Sequence, residues 1–542
     1  MSLLLLAFSR RYVTYTVSLI ATVVLLPLAI VQPVLLPLFG IALVLALVGT
    51  HDILQVRHSI LRSYPIAAHI RFLLEEVRPE IRQYFLESDT DGMPFDRNTR
   101  SIVYQRAKGQ LDKRPHGTQL NVYGSRFEWL NHSLVPRDAA TEPFRIAVGN
   151  AQCRKPYSAS VFNISAMSFG ALSANAIRAL NKGAKMGNFA HDTGEGGVSK
   201  YHKEHGGDVI WEIGSGYFGC RNPDGSFSAE RFAEQAADDQ VKMVEIKLSQ
   251  GAKPGHGGVL PGAKVSPEIA EARGIPVGVD CISPSRHSAF STPAELMRFV
   301  AKLRELSGGK PTGLKLCVGH PWEFLAICKA MLAEKTYPDF IVVDGKEGGT
   351  GAGPLEFIDH MGMPLQEGLM FVHNALVGLD IRQHIKIGAS GKIITAFDLA
   401  RTMALGADWC NSARGFMFAV GCIQAASCHT GRCPVGVATQ DQVRQRALVV
   451  EDKWERAYNF HRSTLIALAE VVAAAGLSHP RELGPHHFFR RSESGPVQTY
   501  KQIYRFLKPG EILAGTDDPR YQHVWPMAHA ESFAAGLFEA AS

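Results

Sequence analysis

The chain has 542 residues, of which 46% are hydrophobic and 20% charged, and these proportions exclude a largely disordered protein. Its 57 basic residues barely exceed its 51 acidic ones, so its charge predicts no nucleic-acid partner. Nine scattered cysteines argue against a secreted disulfide framework and favour a reducing compartment. The length predicts either several domains or one large α/β barrel with additions.

Two uncharged, strongly apolar segments lie near the N-terminus, at residues 12–31 and 33–50. Each is long enough to cross the hydrocarbon core of a bilayer as a helix. Gln32 and Pro33 break the chain between them. We therefore predict a two-span transmembrane hairpin over residues 1–51. A signal peptide and a buried core hairpin are the alternatives.

Basic residues flank this hairpin on both sides: Arg10, Arg11, Arg57 and Arg62. Because loops rich in lysine and arginine stay in the cytoplasm, both ends of the hairpin are expected there. The predicted location is the inner (cytoplasmic) membrane, with the rest of the chain facing the cytoplasm.

The remainder of the chain divides by its pattern into three parts. Residues 52–150 combine charged and apolar residues at helical spacing, which predicts a helical connector and a lead-in to the next domain. Residues 151–445 alternate short apolar runs with helix-like segments. Residues 446–542 are predicted to form a helical cap and a polar tail.

The apolar runs of the middle part predict eight strands. They are residues 161–168, 188–193, 243–249, 277–283, 312–319, 339–345, 385–390 and 408–414. Eight strand–helix units predict an α/β protein built on a parallel (β/α)8 (TIM) barrel. A doubly wound sheet is the alternative, because the pattern alone does not prove closure.

Glycine-rich segments follow four of these strands, at residues 193–197, 251–258, 344–354 and 388–392. All four would lie at the C-terminal mouth, where barrel enzymes place their sites. Glycine lets backbone amides come close to a ligand, although any one such loop is also a plain tight turn. The four loops together predict a binding mouth.

The loops after the last two predicted strands are where barrel enzymes often bind a phosphate group. Gly391 and Gly415 would bring backbone N–H groups to a dianion there. Arg414 would pair with it through two donors, and its other interpretation is a surface salt bridge.

Three charged residues at the mouth are candidates for binding or catalysis. Lys315 lies within a predicted strand, where it needs either an anionic partner, such as the N1–C2=O edge of a flavin, or an exit to water. Glu195 and Lys253 lie in two of the glycine-rich loops and are suited to position a dicarboxylate or relay a proton to an imine. Each of the three, taken singly, is more often structural or solvated.

Three cysteines, Cys422, Cys428 and Cys433, lie close together, and a proline follows the last. Disulfide pairing would leave one of them over. Zinc usually takes four ligands, and His429 is the neighbour available as the fourth. Cys-Pro also ends many iron–sulfur segments. Residue chemistry alone therefore leaves open an iron–sulfur site, a zinc site and three unrelated buried thiols.

Five segments, in order, resemble the FMN-binding synthase domain of glutamate synthase. They are "AMSFGALS" (166–173), "TGEGG" (193–197), "EIKLSQGAKPGHGGVLPGAKV" (245–265), "DGKEGGTGAGPLEFIDHMGMP" (344–364) and "GCIQAASCHTGRCPVGVATQD" (421–441). The chain is similar to the short, membrane-anchored branch of this family. The resemblance implies a 3Fe-4S cluster on the three cysteines and bound FMN. The residues then expected to bind FMN are Met167, Ser168, Lys315, Gly348, Gly349, Ser390, Gly391, Ala413 and Arg414.

The resemblance also implies a reaction. FMN, reduced through the cluster, delivers hydride to 2-iminoglutarate, which forms from 2-oxoglutarate and ammonia, and the product is L-glutamate. Glu195 matches the first glutamate of the family's "GEGG" loop, and Lys253 matches the lysine of its "GAKPG" loop. These two are therefore the expected catalytic residues.

The sequence departs from the family in ways that bear on its partners. It has an apolar hairpin where larger members carry a glutaminase domain, so free ammonia or an amidotransferase subunit is expected to supply nitrogen. It has no dinucleotide-binding glycine fingerprint, so a ferredoxin or a membrane carrier is the expected electron donor. His256 and Val259 replace polar residues of the family's "KPGEGGQ" loop.

The altered loop keeps other functions open. One is a related synthase that acts on another 2-oxo acid or amine. Another is a flavin and iron–sulfur electron-transfer subunit without synthase turnover. A third is a zinc-stabilised barrel without redox chemistry.

Overall fold

The structure, a computed structural model, describes residues 10–56, 58–493 and 495–536. It forms two compact units, residues 1–94 and residues 95–542. Arg57, one of the basic residues predicted to flank the hairpin, lies outside the described residues.

Two long helices form the hairpin of the first unit, Val13–Val31 and Leu36–Leu54, with the 3-10 turn Pro33–Leu35 between them. Both are long and apolar enough to cross a membrane. Most of their apolar side chains are exposed; Ile30, for example, is 76% exposed. The hairpin is therefore not the buried core of this unit.

Three shorter helical segments complete the first unit: Ser59–Ser63, Ala67–Ile81 and the π-helical turn Arg82–Leu86. Asp52, at the end of the hairpin, is buried. Its carboxylate accepts a hydrogen bond from the backbone N–H of Ile66 at 2.9 Å and lies 2.9 Å from His69 Nε2. These contacts fix the turn that leads out of the hairpin.

Eight parallel strands close into a barrel in the second unit. They are β1 Phe162–Ile164, β2 His191–Asp192, β3 Val209–Ile213, β4 Val241–Lys247, β5 Thr312–Leu316, β6 Phe340–Asp344, β7 Lys386–Ser390 and β8 Trp409–Ser412. Strand β8 pairs with β1, with Cys410 opposite Phe162 and Ser412 opposite Ile164. This closure confirms the (β/α)8 barrel and excludes the doubly wound sheet.

One predicted strand is wrong. The run at residues 277–283 is not in the barrel; only Cys281–Ile282 is extended, and it pairs with Val259–Leu260 in an antiparallel ribbon. The missing barrel strand is β3, all of whose residues are buried. Sequence reasoning passed over β3 because Glu212 interrupts its apolar run, whereas a strand buried on both faces normally lacks charge.

Helices surround the barrel. They are Ala174–Gly187, Lys200–Lys203, Ala229–Ala236, Pro267–Arg273, Pro293–Leu306, Pro321–Glu334, Leu355–His360, Leu365–Gly378, Ala396–Ala404 and Arg414–Ala419. Side chains cap the N-termini of several of these helices. The hydroxyl of Ser173 accepts from the N–H of Ala176, and Thr292 and Thr395 form capping boxes.

Segments on either side of the barrel in the sequence pack on its outside. Helices Arg97–Ala107 and Val450–Ala474 pack together, and the latter also packs on Ala174–Gly187. Glu128–Leu130 joins Phe488–Arg491 and Val497–Thr499 in a three-stranded antiparallel sheet, and Arg145–Val148 pairs with Tyr157–Ser160. The other short helices are Gln442–Gln445, Tyr500–Ile503, Glu511–Ala514 and Pro519–Gln522.

Candidate active site

A cavity at the C-terminal mouth contains most of the residues expected to bind a cofactor, and we call it the Arg414 cavity. Those that line it are Lys315, Gly348, Gly349, Ser390, Gly391, Ala413 and Arg414. The neighbouring residues Ser165 and Ala166 line it in place of Met167 and Ser168. The four loops that carry these residues come together because they all follow parallel strands of one barrel.

Met167 and Ser168 instead pack against the Glu195 loop. A Cβ atom on Gly194, which has φ +63°, would lie 2.7 Å from the backbone nitrogen of Ser168. Only glycine fits at this contact. The two residues therefore support the loop that carries Glu195.

The loops after β4 and β6 meet with no space between their backbones. A Cβ atom on Gly251 would lie 1.8 Å from the carbonyl oxygen of Gly345. The N–H of Gly251 donates to Asp344 Oδ2 at 2.7 Å, and the hydroxyl of Ser390 donates to the other oxygen of Asp344. Asp344 thus fixes three mouth loops relative to one another.

Arg414 is a half-buried cation, and no carboxylate in the described part of the chain lies within ion-pair distance of it. Its Nη2 donates to the carbonyl oxygen of Glu347 at 2.8 Å. Burial lowers the pKa of Arg414 to about 10. Burial and the adjacent Arg414 together lower the pKa of Lys392, which lines the same cavity. Two such cations side by side favour an anionic ligand.

Sequence reasoning missed several residues of this cavity: Phe95, Gln250, Lys392 and Asn411. Lys392 and Asn411 lie at the ends of the last two predicted strands, where barrel enzymes often bind a phosphate group, so the sequence could have predicted them. No pattern in the sequence predicted Phe95, because it precedes β1 by more than sixty residues and reaches the mouth only through tertiary packing.

A second cavity adjoins the first, and we call it the Glu195 cavity. Its polar lining residues are Glu195, Ser215, Lys247, Ser249, Gln250, His256, Ser285 and His287. Gln250 lines both cavities. Lys253 is buried in the loop after β4 and does not contribute to the lining.

Glu195 and Lys247 form an ion pair of 3.1 Å in this second cavity. Burial raises the pKa of Glu195, but Lys247 outweighs it, and the pKa lies below its ordinary value. Burial lowers the pKa of Lys253, and Glu195 partly opposes this. The pair combines a carboxylate and an ammonium group, so it can both hold an anionic substrate and exchange a proton.

The two residues that replace polar family residues have different surroundings. His256 lines the Glu195 cavity, and its Nδ1 lies 2.7 Å from the carbonyl oxygen of Gly257. Val259 is 42% exposed and belongs to the antiparallel ribbon. Of the two replacements, only His256 contributes to the lining.

Lys315 has two carboxylate partners in the barrel interior. Its Nζ forms an ion pair with Glu212 of β3 and lies 3.4 Å from Glu245 Oε1 of β4. The sequence predicted an anionic partner for this lysine but not these residues.

Cys422, Cys428 and Cys433 are all unbridged and cluster in the loop after β8. Burial, together with the nearby thiols of Cys428 and Cys433, raises the pKa of Cys422 to about 12. Tyr104 donates to the carbonyl of Cys422 at 2.7 Å, and Lys264 Nζ donates to that of Cys428 at 2.9 Å. These bonds hold the segment against two other parts of the chain.

The family model for the conserved region in glutamate synthase matches residues 125–478, which include the barrel, the cysteine segment and all the lining residues of both cavities except Phe95. The chain belongs to the glutamate synthase family. This places it among oxidoreductases, as the resemblance implied. The match also extends beyond the last barrel strand into helix Val450–Ala474.

Relatives within the glutamate synthase family cover the chain to different extents. It is 38% identical to a glutamate synthase large subunit-like protein, YerD, of Bacillus subtilis, over 82% of this chain and 92% of that protein. It is 34% identical to an archaeal-type glutamate synthase [NADPH] of Thermotoga neapolitana, over 58% of this chain and 59% of that protein. The chain thus spans about three fifths of the archaeal-type relative's length.

A double mutant of flavocytochrome b2 with pyruvate bound is similar in structure. The similarity covers 81% of this chain and 91% of that chain, with 10% identity and a TM-score of 0.40.

Proposed function

We propose that the chain is an FMN- and 3Fe-4S-dependent oxidoreductase that converts 2-oxoglutarate through 2-iminoglutarate to L-glutamate, with ammonia or partner-supplied nitrogen. The observation that carries this proposal is the meeting of two cavities at Gln250. One is lined by the residues expected for FMN, and the other contains the Glu195–Lys247 ion pair. A cofactor and a substrate in these cavities would be neighbours.

The Arg414 cavity fits the phosphate of FMN. Arg414 and Lys392 are half-buried cations at its wall, and Gly349 and Gly391 also line it, where the absence of a side chain lets a phosphate approach the backbone. When bound, FMN supplies a group that accepts electrons one at a time and releases them as hydride. Lys315 would face the flavin from the barrel side.

The cysteine segment fits an iron–sulfur cluster better than zinc. The sulfurs of a tetrahedral zinc site, each about 2.3 Å from the metal, are about 3.8 Å apart. In the described part of the chain, the three cysteine sulfurs do not all lie within 4.8 Å of one another. The group of side chains that does meet this distance consists of carboxylates. A wider spacing of three thiolates suits a 3Fe-4S cluster, which supplies one-electron transfer.

Within the Glu195 cavity, the chain's own residues would bind and protonate the substrate. The Lys247 ammonium lines the cavity and suits a carboxylate of 2-oxoglutarate, whereas Lys253 is buried outside the lining. Glu195 orients Lys247 through the ion pair. Lys253 does not line the cavity, but it is close enough to Glu195 for the carboxylate to affect its pKa. Because burial lowers that pKa, Lys253 gives up a proton more readily than a solvated lysine, and Glu195 would pass the proton on to the substrate nitrogen.

The exposed apolar hairpin supports anchoring in the inner (cytoplasmic) membrane by two spans, with the barrel in the cytoplasm. The electron donor would then be a ferredoxin or a membrane carrier. Nitrogen would come from free ammonia or an amidotransferase subunit.

The test is to express the full chain anaerobically, purify it in detergent, and record its flavin absorbance and electron paramagnetic resonance (EPR) spectrum. Reduced viologen, ammonia and a panel of 2-oxo acids are then supplied. We expect glutamate from 2-oxoglutarate. A colourless, EPR-silent protein would overturn the proposal. A coloured protein inert toward every oxo acid would favour an electron-transfer subunit, and a preference for another acid would favour a related synthase.

A single substitution tests the cluster ligands. Cys428→Ser is expected to remove the EPR signal, whereas Cys328→Ala, in a buried helix outside the segment, leaves it unchanged. A signal that persists in Cys428→Ser contradicts the ligand assignment.

A further inference from the structure

Three carboxyl groups meet inside the barrel below the Arg414 cavity. Asp192 of β2, Glu212 of β3 and Glu245 of β4 bring oxygen atoms within 4.8 Å of one another. None of the three is more than 1% exposed. We call them the acid cluster, and Lys315 connects them to the cavity because it contacts two of them and also lines the cavity wall.

Strand register forces this contact. Glu212 and Glu245 are directly opposite each other on the parallel strands β3 and β4. Like charges in that position are destabilising, and more so in a barrel interior, where water does not screen them. Nothing in an ordinary barrel core, which is filled by branched apolar side chains, calls for such a pair.

The charges of the acid cluster do not balance if every group is ionised. Three carboxylates against one ammonium leave an excess of two negative charges at a site closed to water. The nearest other charges are Lys247 and Asp344, which act on Glu245 in opposite directions. Buried carboxylates in this situation share protons.

The surroundings of Glu245 favour its protonated form. Glu245 is fully buried, and neither of its carboxyl oxygens accepts a well-aligned hydrogen bond in the described part of the chain, although the Lys315 ammonium lies 3.4 Å from Oε1. Its other neighbour is the carboxyl group of Asp192, to which it can be hydrogen-bonded only if one of the two groups holds a proton. An ionised carboxylate without donors is costly, whereas a protonated one is itself a donor. Burial raises the pKa of Glu245 well above its ordinary value, and the adjacent Asp192 raises it further.

We propose that the acid cluster is a proton-binding site, and that it takes up a proton when negative charge enters the Arg414 cavity beside Lys315. The uptake joins one solvent proton to one carboxylate oxygen as an O–H bond, and nothing is oxidised or reduced in that step. Negative charge near the site disfavours the ionised carboxylates, so charge and proton arrive together. The inference rests on the proposed function in one respect, because the negative charge would come from reduction of a flavin bound in the Arg414 cavity.

The first test needs neither flavin nor turnover. Infrared difference spectra between the wild-type protein and Glu245→Gln are expected to contain a protonated-carboxyl band at neutral pH that the variant lacks. Glu128→Gln is the control, because Glu128 is half-buried but paired with Arg401 and Arg490, which hold its pKa below the ordinary value against the effect of burial. No protonated-carboxyl band in the wild-type protein would overturn the proposal even if the synthase reaction is confirmed.

The second test measures proton uptake. The purified full chain is reduced anaerobically in weak buffer, and the uptake is read from a pH indicator. Both Glu245→Gln and Glu212→Gln are expected to lower it by up to one proton per chain, while Glu128→Gln leaves it unchanged. Equal uptake in all four proteins would overturn the link to the cavity. Using two cluster variants guards against one that fails to fold.

The same cluster has the composition of a cation site, and one experiment separates the two. Thermal unfolding of the wild-type protein is followed with and without added Mg²⁺ or Mn²⁺. A proton site predicts no shift in the melting temperature, since Lys315 already occupies the cationic position. If the metal raises the melting temperature of the wild-type protein but not that of Glu245→Gln, the cluster is a metal site and the proposal is overturned.

Discussion

The ring of Phe95 lies over the guanidinium of Arg414, with 4.6 Å between the ring centroid and Cζ. The N–H of Phe95 donates to Gln424 Oε1 at 3.2 Å, and Gln424 Nε2 donates back to the carbonyl of Phe95 at 3.1 Å. Gln424 also bonds, through its own N–H, to Cys422 Sγ at 3.4 Å. One residue near the start of the second unit therefore contacts both the proposed phosphate site and the proposed cluster segment.

Replacing Arg414 tests the phosphate site. Arg414→Gln keeps hydrogen-bonding capacity but removes the charge, and a charge-assisted hydrogen bond contributes about 1.5–3 kcal/mol. FMN affinity is therefore expected to fall about 10- to 100-fold, measured by fluorescence titration of deflavinated protein. Arg298→Gln, which loses only a surface ion pair with Glu334, is the control. Equal affinity in the two variants would show that the phosphate binds elsewhere.

Replacing Glu195 tests the second cavity. Glu195→Gln removes the ion pair with Lys247 but keeps the shape of the side chain. Turnover with saturating 2-oxo acid is expected to fall about 10²- to 10⁴-fold, the usual contribution of a positioned acid–base group. The flavin spectrum is unaffected, because Glu195 does not line the Arg414 cavity. Turnover close to that of the wild-type protein would remove Glu195 from the catalytic set.

The same ion pair predicts how stability changes with pH. Folding lowers the pKa of Glu195 below its ordinary value of 4.5, so the pair stabilises the protein above that pH. Its contribution is lost as the pH falls through the lowered pKa. The difference in melting temperature between the wild-type protein and Glu195→Gln is thus expected to be largest near neutrality and to shrink below pH 4.5. A difference that grows in acid would contradict this.

A buried ion pair at the opposite end of the barrel is expected to dominate local stability. Arg304 Nε lies 3.0 Å from Asp339 Oδ2, and Asp339 also accepts from the N–H groups of Asn150 and Thr312. Arg304→Ala leaves a buried carboxylate without its cation, which costs about 3–5 kcal/mol. Arg298 lies on the same helix but is exposed, and Arg298→Ala is expected to cost about 1 kcal/mol or less. The free energy of unfolding of each variant is measured with denaturant. Equal decreases in the two variants would show that the buried pair contributes no more than the exposed one.

Two arginines in the hairpin test membrane insertion. Val24→Arg and Val44→Arg together place a charge in each apolar helix. Each charge raises the free energy of membrane insertion by about 2.5–3.5 kcal/mol. The variant is expected to leave the membrane fraction or to be degraded, while the wild-type chain resists alkaline extraction. Leu134→Arg, at a position 94% exposed in the second unit, is the control and remains in the membrane. Extraction of the wild-type chain by alkali would reject the two-span anchor.

The amino-acid sequence by itself predicted the features that depend on local pattern. The period of apolar runs predicted a barrel, and glycine spacing predicted its mouth. The apolar segments predicted the hairpin, with its break at Gln32 and Pro33, and the cysteine spacing identified a candidate metal segment. These features are set by residues close together in the chain, so no fold is needed to read them.

Only the tertiary structure decided which residues meet. It replaced the run at 277–283 by β3, because a strand that contains Glu212 is tolerated when Lys315 neutralises it from β5. It paired Glu195 with Lys247 and brought Phe95 to Arg414. A charged side chain is stable in a barrel interior only if its partner arrives from a distant strand, and no pattern within one strand specifies that partner.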